Sequence, residues 1–255
     1  MTDVEENLKI SRYLDLTKFL DFVEFNRLYF RQVDKYDDVL EGCFPKQIYE
    51  LAKGITVTGA DGIPHNNGII EQTKFRRKSN YVSCWTLSNP ENMGMWNVYG
   101  GKNGLAIQTR VSILQSELEA APSKYTDETH TLMRLEPIKL KVSSIRYINH
   151  SNVDPDNLKL ELIKNPILLK NIGYSYENEI RFIYDTVTPT LHQRLGDGFC
   201  LNVDANKIIE KILVSPAADE WFFELIKSVL SKYDLDNRVF WSDLRFPHYN
   251  EADFQ

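Results

Sequence analysis

The feature that most constrains this chain is the order of its periodic segments. Short β-prone runs and amphipathic helical stretches follow one another without strict strand–helix–strand alternation. A doubly wound parallel sheet needs that alternation, because each parallel pair requires a crossover. The pattern therefore predicts an α+β fold with a mixed or antiparallel sheet flanked by helices. Apolar spacing predicts helices over 15–28, 39–53, 112–121, 158–170 and 217–233, and one running from Asn89-Pro90-Glu91 to Tyr99. Pro45 and Pro90 are expected in first turns, where a missing N–H costs least, and a break is expected at Asn165-Pro166. In the last helix Trp221, Leu225, Val229 and Leu230 form the expected buried stripe. Strands are predicted over 28–30, 81–86, 105–109, 138–148, 179–184, 199–203, 211–215 and 238–241. Residues 54–68 read as a loop, or as two short strands around Asp61-Gly62, and 122–131 as a polar loop.

Composition enters by exclusion. No stretch approaches the roughly 20 apolar residues of a membrane span. The acidic opening Thr2-Asp3-Val4-Glu5-Glu6 lacks the apolar core of a secretory signal, so a cytoplasmic protein with no membrane partner is expected. The formal net charge of −6 argues against coating nucleic acid. The run Lys74, Arg76, Arg77, Lys78 leaves a local nucleic-acid contact open, though a solvated loop is the expectation. Cys43, Cys84 and Cys200 form no CxxC pair, and none of the five histidines has a partner at metal spacing. No disulfide framework and no metal are expected, and the histidines read as surface residues. Cys84, between Val82 and Trp85 in a strand, reads as a core thiol. Gly100-Gly101-Lys102-Asn103-Gly104 precedes a strand, where a phosphate loop would precede a helix. The 255 residues show no repeat or long linker and are expected to form one domain over 1–255, with a short polar tail at 245–255.

The most informative segment is Tyr174-Ser175-Tyr176-Glu177-Asn178-Glu179-Ile180-Arg181-Phe182. On a strand, Glu177, Glu179 and Arg181 would share one face, with Ile180 and Phe182 on the other. Two carboxylates so spaced can do paired work at one sugar or one proton. An exposed strand face on which Arg181 screens its neighbours is the other reading.

Further pieces occur in a fixed order: Ser11-Arg12-Tyr13, Tyr36-Asp37-Asp38-Val39-Leu40-Glu41-Gly42, Ser83-Cys84-Trp85, Met95-Trp96-Asn97-Val98-Tyr99, Gly104-Leu105-Ala106-Ile107, Ile145-Arg146-Tyr147, then Lys170 ahead of Tyr176-Glu177-Asn178-Glu179-Ile180-Arg181. This order resembles the bacterial family labelled domain of unknown function twenty-nine seventy-one, related to abortive-infection proteins of the AbiGi type, over residues 11–244. One piece departs: where the family has Asn-Asp-Pro-Phe-Glu, this chain has Asp37-Asp38-Val39-Leu40-Glu41. More distantly, the succession of Arg, Ser on a central strand and Glu-x-Glu is similar to ADP-ribosyltransferases. That likeness implies an ADP-ribosyltransferase-like fold and NAD as substrate. Arg12 would grip the NAD phosphates or ribose, and Ser83 would support the nicotinamide ribose. Glu179 would stabilise the oxocarbenium-like charge, Glu177 would orient the acceptor, and Trp96 or Tyr99 would stack on nicotinamide. The catalytic set is then Glu179, Glu177 and Arg12, and the NAD-binding set Arg12, Ser83, Trp96 and Tyr99.

Two functions follow as expectations. One is an NAD-consuming, ADP-ribosyltransferase-like effector in phage defence. The other is a non-catalytic, antitoxin-like or sensing module that binds a protein partner in an abortive-infection system. A nuclease is disfavoured, since no D…ExK pattern occurs.

Overall fold

The computed structural model describes residues 4–58, 62, 64–65, 68–121, 140–153, 165–185 and 193–245. Their strands, in chain order, are β1 Lys9–Leu14, β2 Arg27–Gln32, β3 Val57–Thr58, β4 Pro64–His65, β5 Asn80–Leu87, β6 Leu105–Arg110, β7 Leu140–Ser144, β8 Arg146–Ile148, β9 Leu169–Asn171, β10 Glu179–Asp185, β11 Gln193–Leu195, β12 Gly198–Asn202, β13 Lys211–Val214 and β14 Val239–Trp241. With the helices between them they make a mixed α/β fold whose sheet is mostly antiparallel, as the absence of alternation predicts. The chain divides into two compact units, residues 1–3, 29–84 and 136–201 in one, and 4–28, 85–135 and 202–255 in the other.

In the first unit β2 runs antiparallel to β5 through Arg31 and Val82, and β10 lies against β5 and, antiparallel, β7. β11 and β12 form a hairpin. Two small pairs sit apart: antiparallel β3–β4 and parallel β8–β9. Val33, Val82, Ile145, Ile167, Leu168 and Ile183 make one apolar cluster, with Tyr36, Cys84 and Tyr147 packed on its side. A smaller one joins Ile48, Ile148 and Leu169.

In the second unit β1 pairs along its whole length with β6, and β13 pairs antiparallel with β6 and parallel with β14. The helix Leu16–Phe25 buries Phe19, Phe22 and Val23, spaced for one face. Asp15 caps it, accepting from the Lys18 N–H at 2.8 Å. The turn before β6 needs Gly104: a Cβ there would lie 2.1 Å from the Gly100 carbonyl oxygen.

Several elements depart from the sequence expectation. The helix expected over 39–53 is Lys46–Ala52, because Pro45 takes the N-cap position and the stretch before it is spent on turns. The helix expected from Asn89 is a single turn, Met93–Met95, capped by Asn92 and followed by the wide turn Trp96–Gly100. The basic run belongs to the helix Gly68–Ser79, not to a loop; Arg76, Arg77 and Lys78 fill its last turn, where cations suit the helix dipole. The strand expected over 138–148 breaks into β7 and β8. What is described of 158–170 is the short helix Pro166–Leu168 leading into β9. The long C-terminal helix is Glu220–Leu230, and its buried residues are Phe222, Ile226 and Leu230. Trp221 and Leu225, placed by the sequence in the buried stripe, are 59 % and 45 % exposed. Residues 122–131, 158–164 and the tail beyond Arg245 lie outside the described residues.

Candidate functional site

The chemistry of the first unit concentrates in one buried ionic cluster. β10 contributes Glu179 and Arg181, two residues apart and on one face. β9 contributes Lys170, and the turn helix Ile172–Glu177 contributes its last residue. Glu177 is therefore not on the strand face expected for it. Asn178, in the left-handed region at φ +42°, turns the chain between helix and strand, and Lys170 bridges the two glutamates instead. Glu41 comes from the turn Asp38–Cys43, pinned where the Leu40 N–H donates to Asp38 Oδ1 at 2.9 Å. The turn requires Gly42: its φ is +67°, and a Cβ would stand 3.0 Å from Val33.

Burial decides between the two readings of the glutamates. Glu41, Lys170, Glu177, Glu179 and Arg181 are 1, 6, 4, 4 and 0 % exposed, so the screened surface face is overturned. Charges taken this far from water persist only when paired and hydrogen-bonded. Arg181 Nε donates to Glu179 Oε1 at 2.7 Å and Nη2 to Oε2 at 3.1 Å, while Nη1 donates to the Ile167 carbonyl at 2.6 Å. Lys170 Nζ donates to Glu179 Oε2 at 3.1 Å and to Glu177 Oε2 more closely. The Glu179 backbone N–H donates to the Tyr147 hydroxyl at 2.8 Å. Burial pulls the Glu179 carboxyl upward, yet the charges of Arg181 and Lys170 outweigh it and hold Glu179 at about 2. The two cations thus favour the ionised form of Glu179 in a buried site.

Two weaker acids border it. Tyr36 Oη lies 3.2 Å from Cys84 Sγ, and the Cys84 thiol hydrogen-bonds Glu179. Burial and the Glu179 charge push the Cys84 thiol far up, which keeps it protonated and unreactive, in line with its reading as a core thiol. Burial likewise raises Tyr36 and Tyr147. His150, expected at the surface, is buried, and that burial lowers it.

Ser83, also of the first unit, is fully buried on β5 beside Cys84. Arg12, Trp96 and Tyr99 belong to the second unit. Arg12 sits half-buried on β1, its guanidinium 6.0 Å from the centre of the Trp85 ring. Trp96 is buried, packs edge-on against Tyr13 with ring centres 4.9 Å apart, and donates from Nε1 to Glu91 at 3.1 Å. Tyr99 is 41 % exposed. The structure thus brings Glu177 and Glu179 together, through a lysine. It adds Glu41, Lys170 and Tyr36, which the sequence reading did not select as site residues. Their signal was present: Glu41 and Lys170 each stand in one of the ordered pieces, separated in the chain by more than a hundred residues. Among the described residues no group of three or more His, Cys, Asp or Glu is placed to hold a metal ion.

Residues 95–182 match a family model described as Protein of unknown function (DUF2971). The match covers Lys170, Glu177, Glu179 and Arg181 of the cluster, and Glu41 and Cys84 lie outside it. No curated protein and no solved structure shows a significant match to the chain.

Proposed function

We propose that this chain is an NAD-consuming, ADP-ribosyltransferase-like effector of phage defence, with Glu179 and Glu177 as its working carboxylates. The observation that carries the reading is the buried Glu179 carboxylate held between two cations, Arg181 at 2.7 Å and Lys170 at 3.1 Å, whose charges favour its ionised form. A carboxylate held charged there stabilises the positive charge that develops on a ribose as nicotinamide departs, more strongly than it would in water. The pieces that resemble the abortive-infection proteins support it too, since Glu41, Cys84, Tyr147, Lys170, Glu177, Glu179 and Arg181 meet in one place. The burial of Glu179 adds a requirement: the ribose reaches it only if the Glu41 turn or the segment Ile172–Glu177 moves. Ser83, of the same unit as Glu179, keeps the ribose-supporting role the resemblance implies for it.

The test is incubation with NAD and measurement of released nicotinamide. Release by the wild type, and its loss in Glu179→Gln purified as a folded protein, is the expected result. Undiminished release by Glu179→Gln removes that residue from the chemistry, and no release by the wild type removes the activity.

A second reading, a module that binds a protein partner in the same setting, is favoured by one observation. Trp221 and Leu225 stand one turn apart on the helix Glu220–Leu230, both largely exposed. Large apolar side chains grouped at a surface mark interaction sites. A partner that co-purifies with the wild type and is lost from Trp221→Ser is the outcome this reading expects.

A further inference from the structure

Two pieces of chain close over Glu179, the Glu41 turn and the segment Ile172–Glu177, and they are fastened differently. The Glu41 turn is packed into its unit. A Cβ on Gly42 would stand 3.0 Å from Val33, 3.2 Å from Arg77 and 3.3 Å from Ile167, and Glu41 Oε1 lies 2.5 Å from Arg181 Nη2. The segment Ile172–Glu177 lies along the surface instead. Ile172, Gly173 and Ser175 are exposed, Tyr174 and Tyr176 are half-buried, and its one buried residue is Glu177. It belongs to no strand, since β9 ends at Asn171 and β10 begins at Glu179. Its two ends are local turns. Asn171 Oδ1 accepts from the Gly173 N–H at 2.9 Å, and Asn178, at φ +42°, donates its N–H to the Ser175 carbonyl at 3.2 Å. Lys170 ties the segment to the interior: its Nζ donates to Glu177 Oε2 and lies 5.1 Å from the centre of the Tyr174 ring.

We propose that Ile172–Glu177 is a hinged strap over Glu179, latched by Glu177 on Lys170, and that it is the piece that opens. By formal charge the closed cluster sets three carboxylates, Glu41, Glu177 and Glu179, against two cations, Lys170 and Arg181. Carrying Glu177 out to water leaves two against two, and both cations keep a partner. Arg181 retains Glu179 and Glu41, and Lys170 retains Glu179 at 3.1 Å. Moving the Glu41 turn would instead take a close carboxylate from Arg181, which is fully buried, and a buried charge that loses a partner is costly. The strap turns at its two ends, Asn171 and Asn178, as hinges commonly do at the termini of elements. Opening uncovers Lys170 and Glu179 while β10 and the Glu41 turn stay in place. What enters is set by the reading of Glu179 as a working carboxylate, on which this inference rests; the movement itself rests on geometry alone.

Native-state proteolysis reads the opening, because cleavage tracks the population in which the chain around the bond is released. Chymotrypsin is added to the full chain in native buffer, and cleavage after Tyr174 and Tyr176 is followed by mass spectrometry. It is expected to be slow in the wild type and faster by about tenfold or more in Glu177→Gln, the scale of one hydrogen bond to a charged group. Val142→Ala weakens the core of the same unit from β7 and leaves the latch intact, so strap cleavage is expected to stay near the wild-type rate. Equal rates in the wild type and Glu177→Gln, or an acceleration in Val142→Ala as large as in Glu177→Gln, overturn the proposal. Should Glu177→Gln not fold, the wild type in low urea decides: strap cleavage that hardly changes with urea supports a local opening, and cleavage that rises as steeply as global unfolding overturns it. Nicotinamide release is not read in this experiment, so the strap and the NAD chemistry can each fail alone.

Discussion

At the residue scale, Arg181 donates from all three guanidinium nitrogens, to both oxygens of Glu179 and to the Ile167 carbonyl. The planar fork of an arginine matches a carboxylate in a way that lysine does not. Removing one partner of a buried pair leaves the other charge desolvated and unpaired, at a cost of about 3–5 kcal/mol. Arg181→Met is expected to lose stability of that order in denaturant unfolding, and Arg181→Lys to recover only part of it. A loss below about 1 kcal/mol would mean that water reaches the cluster. The same site shows where sequence reasoning stopped. Alternation correctly put Glu179 and Arg181 on one face, but it put Glu177 there as well, because nothing in Tyr176-Glu177-Asn178 announces that the strand starts only after Asn178.

At the scale of the element, the helix Glu220–Leu230 offers a sharp contrast between neighbours. Phe222, Ile226 and Leu230 are buried, while Trp221 and Leu225, one position earlier, are exposed. Phe222→Ala is expected to cost about 3–5 kcal/mol, and Trp221→Ser to stay within about 0.5 kcal/mol, by thermal or denaturant unfolding. Equal costs would place the wrong face inward. Both stripes are apolar at helical spacing, so a one-residue rotation is invisible to periodicity. Phe223 stacks on Trp241 of β14 with ring centres 4.5 Å apart, and the Arg245 guanidinium lies 3.6 Å from the centre of the Trp241 ring, contacts with partners outside the helix that its own periodicity does not show. For the helix Leu16–Phe25 the sequence offers Asp15 or Thr17 as the cap, and the structure selects Asp15. Asp15 accepts from the first turn of its helix, and Asp15→Ala is expected to cost about 1 kcal/mol. The Glu41 turn was named as a motif, yet its sharpness rests on Gly42. Gly42→Ala is expected to strain this turn and displace Glu41 from Arg181, read as a loss of stability in denaturant unfolding.

At the scale of the whole molecule, stability depends on pH through groups that titrate differently when folded. Glu179 is held at about 2, below the roughly 4.3 of an unfolded glutamate, so its contribution is present above about 4.3 and is lost as pH falls toward 2. His150 is lowered by burial, so the unfolded chain binds its proton first and stability declines as pH falls through about 6.5. Glu41 is raised, and it acts in the opposite sense: its contribution is full below about 4.3 and is lost as pH rises. Unfolding free energies measured from pH 7 down to about pH 2 are expected to fall in two stages. His150→Gln should flatten the upper stage and Glu179→Gln the lower. A lower stage unchanged in Glu179→Gln would contradict the paired, ionised state of that residue.

The sequence by itself determined a mixed fold with a mostly antiparallel sheet, most strand positions and the placement of Glu179 and Arg181 on one strand face, and it narrowed the first helix cap to Asp15 or Thr17. These follow from local rules: periodicity, turn residues and the alternation of a strand. Only the tertiary structure decided that the glutamates are buried, that Lys170 joins them, and that Glu41 completes the set from a turn far away in the chain. The reason is physical. Burial and charge pairing depend on which segments the fold brings together, and a local pattern reads the same whether its polar face meets water or another charge.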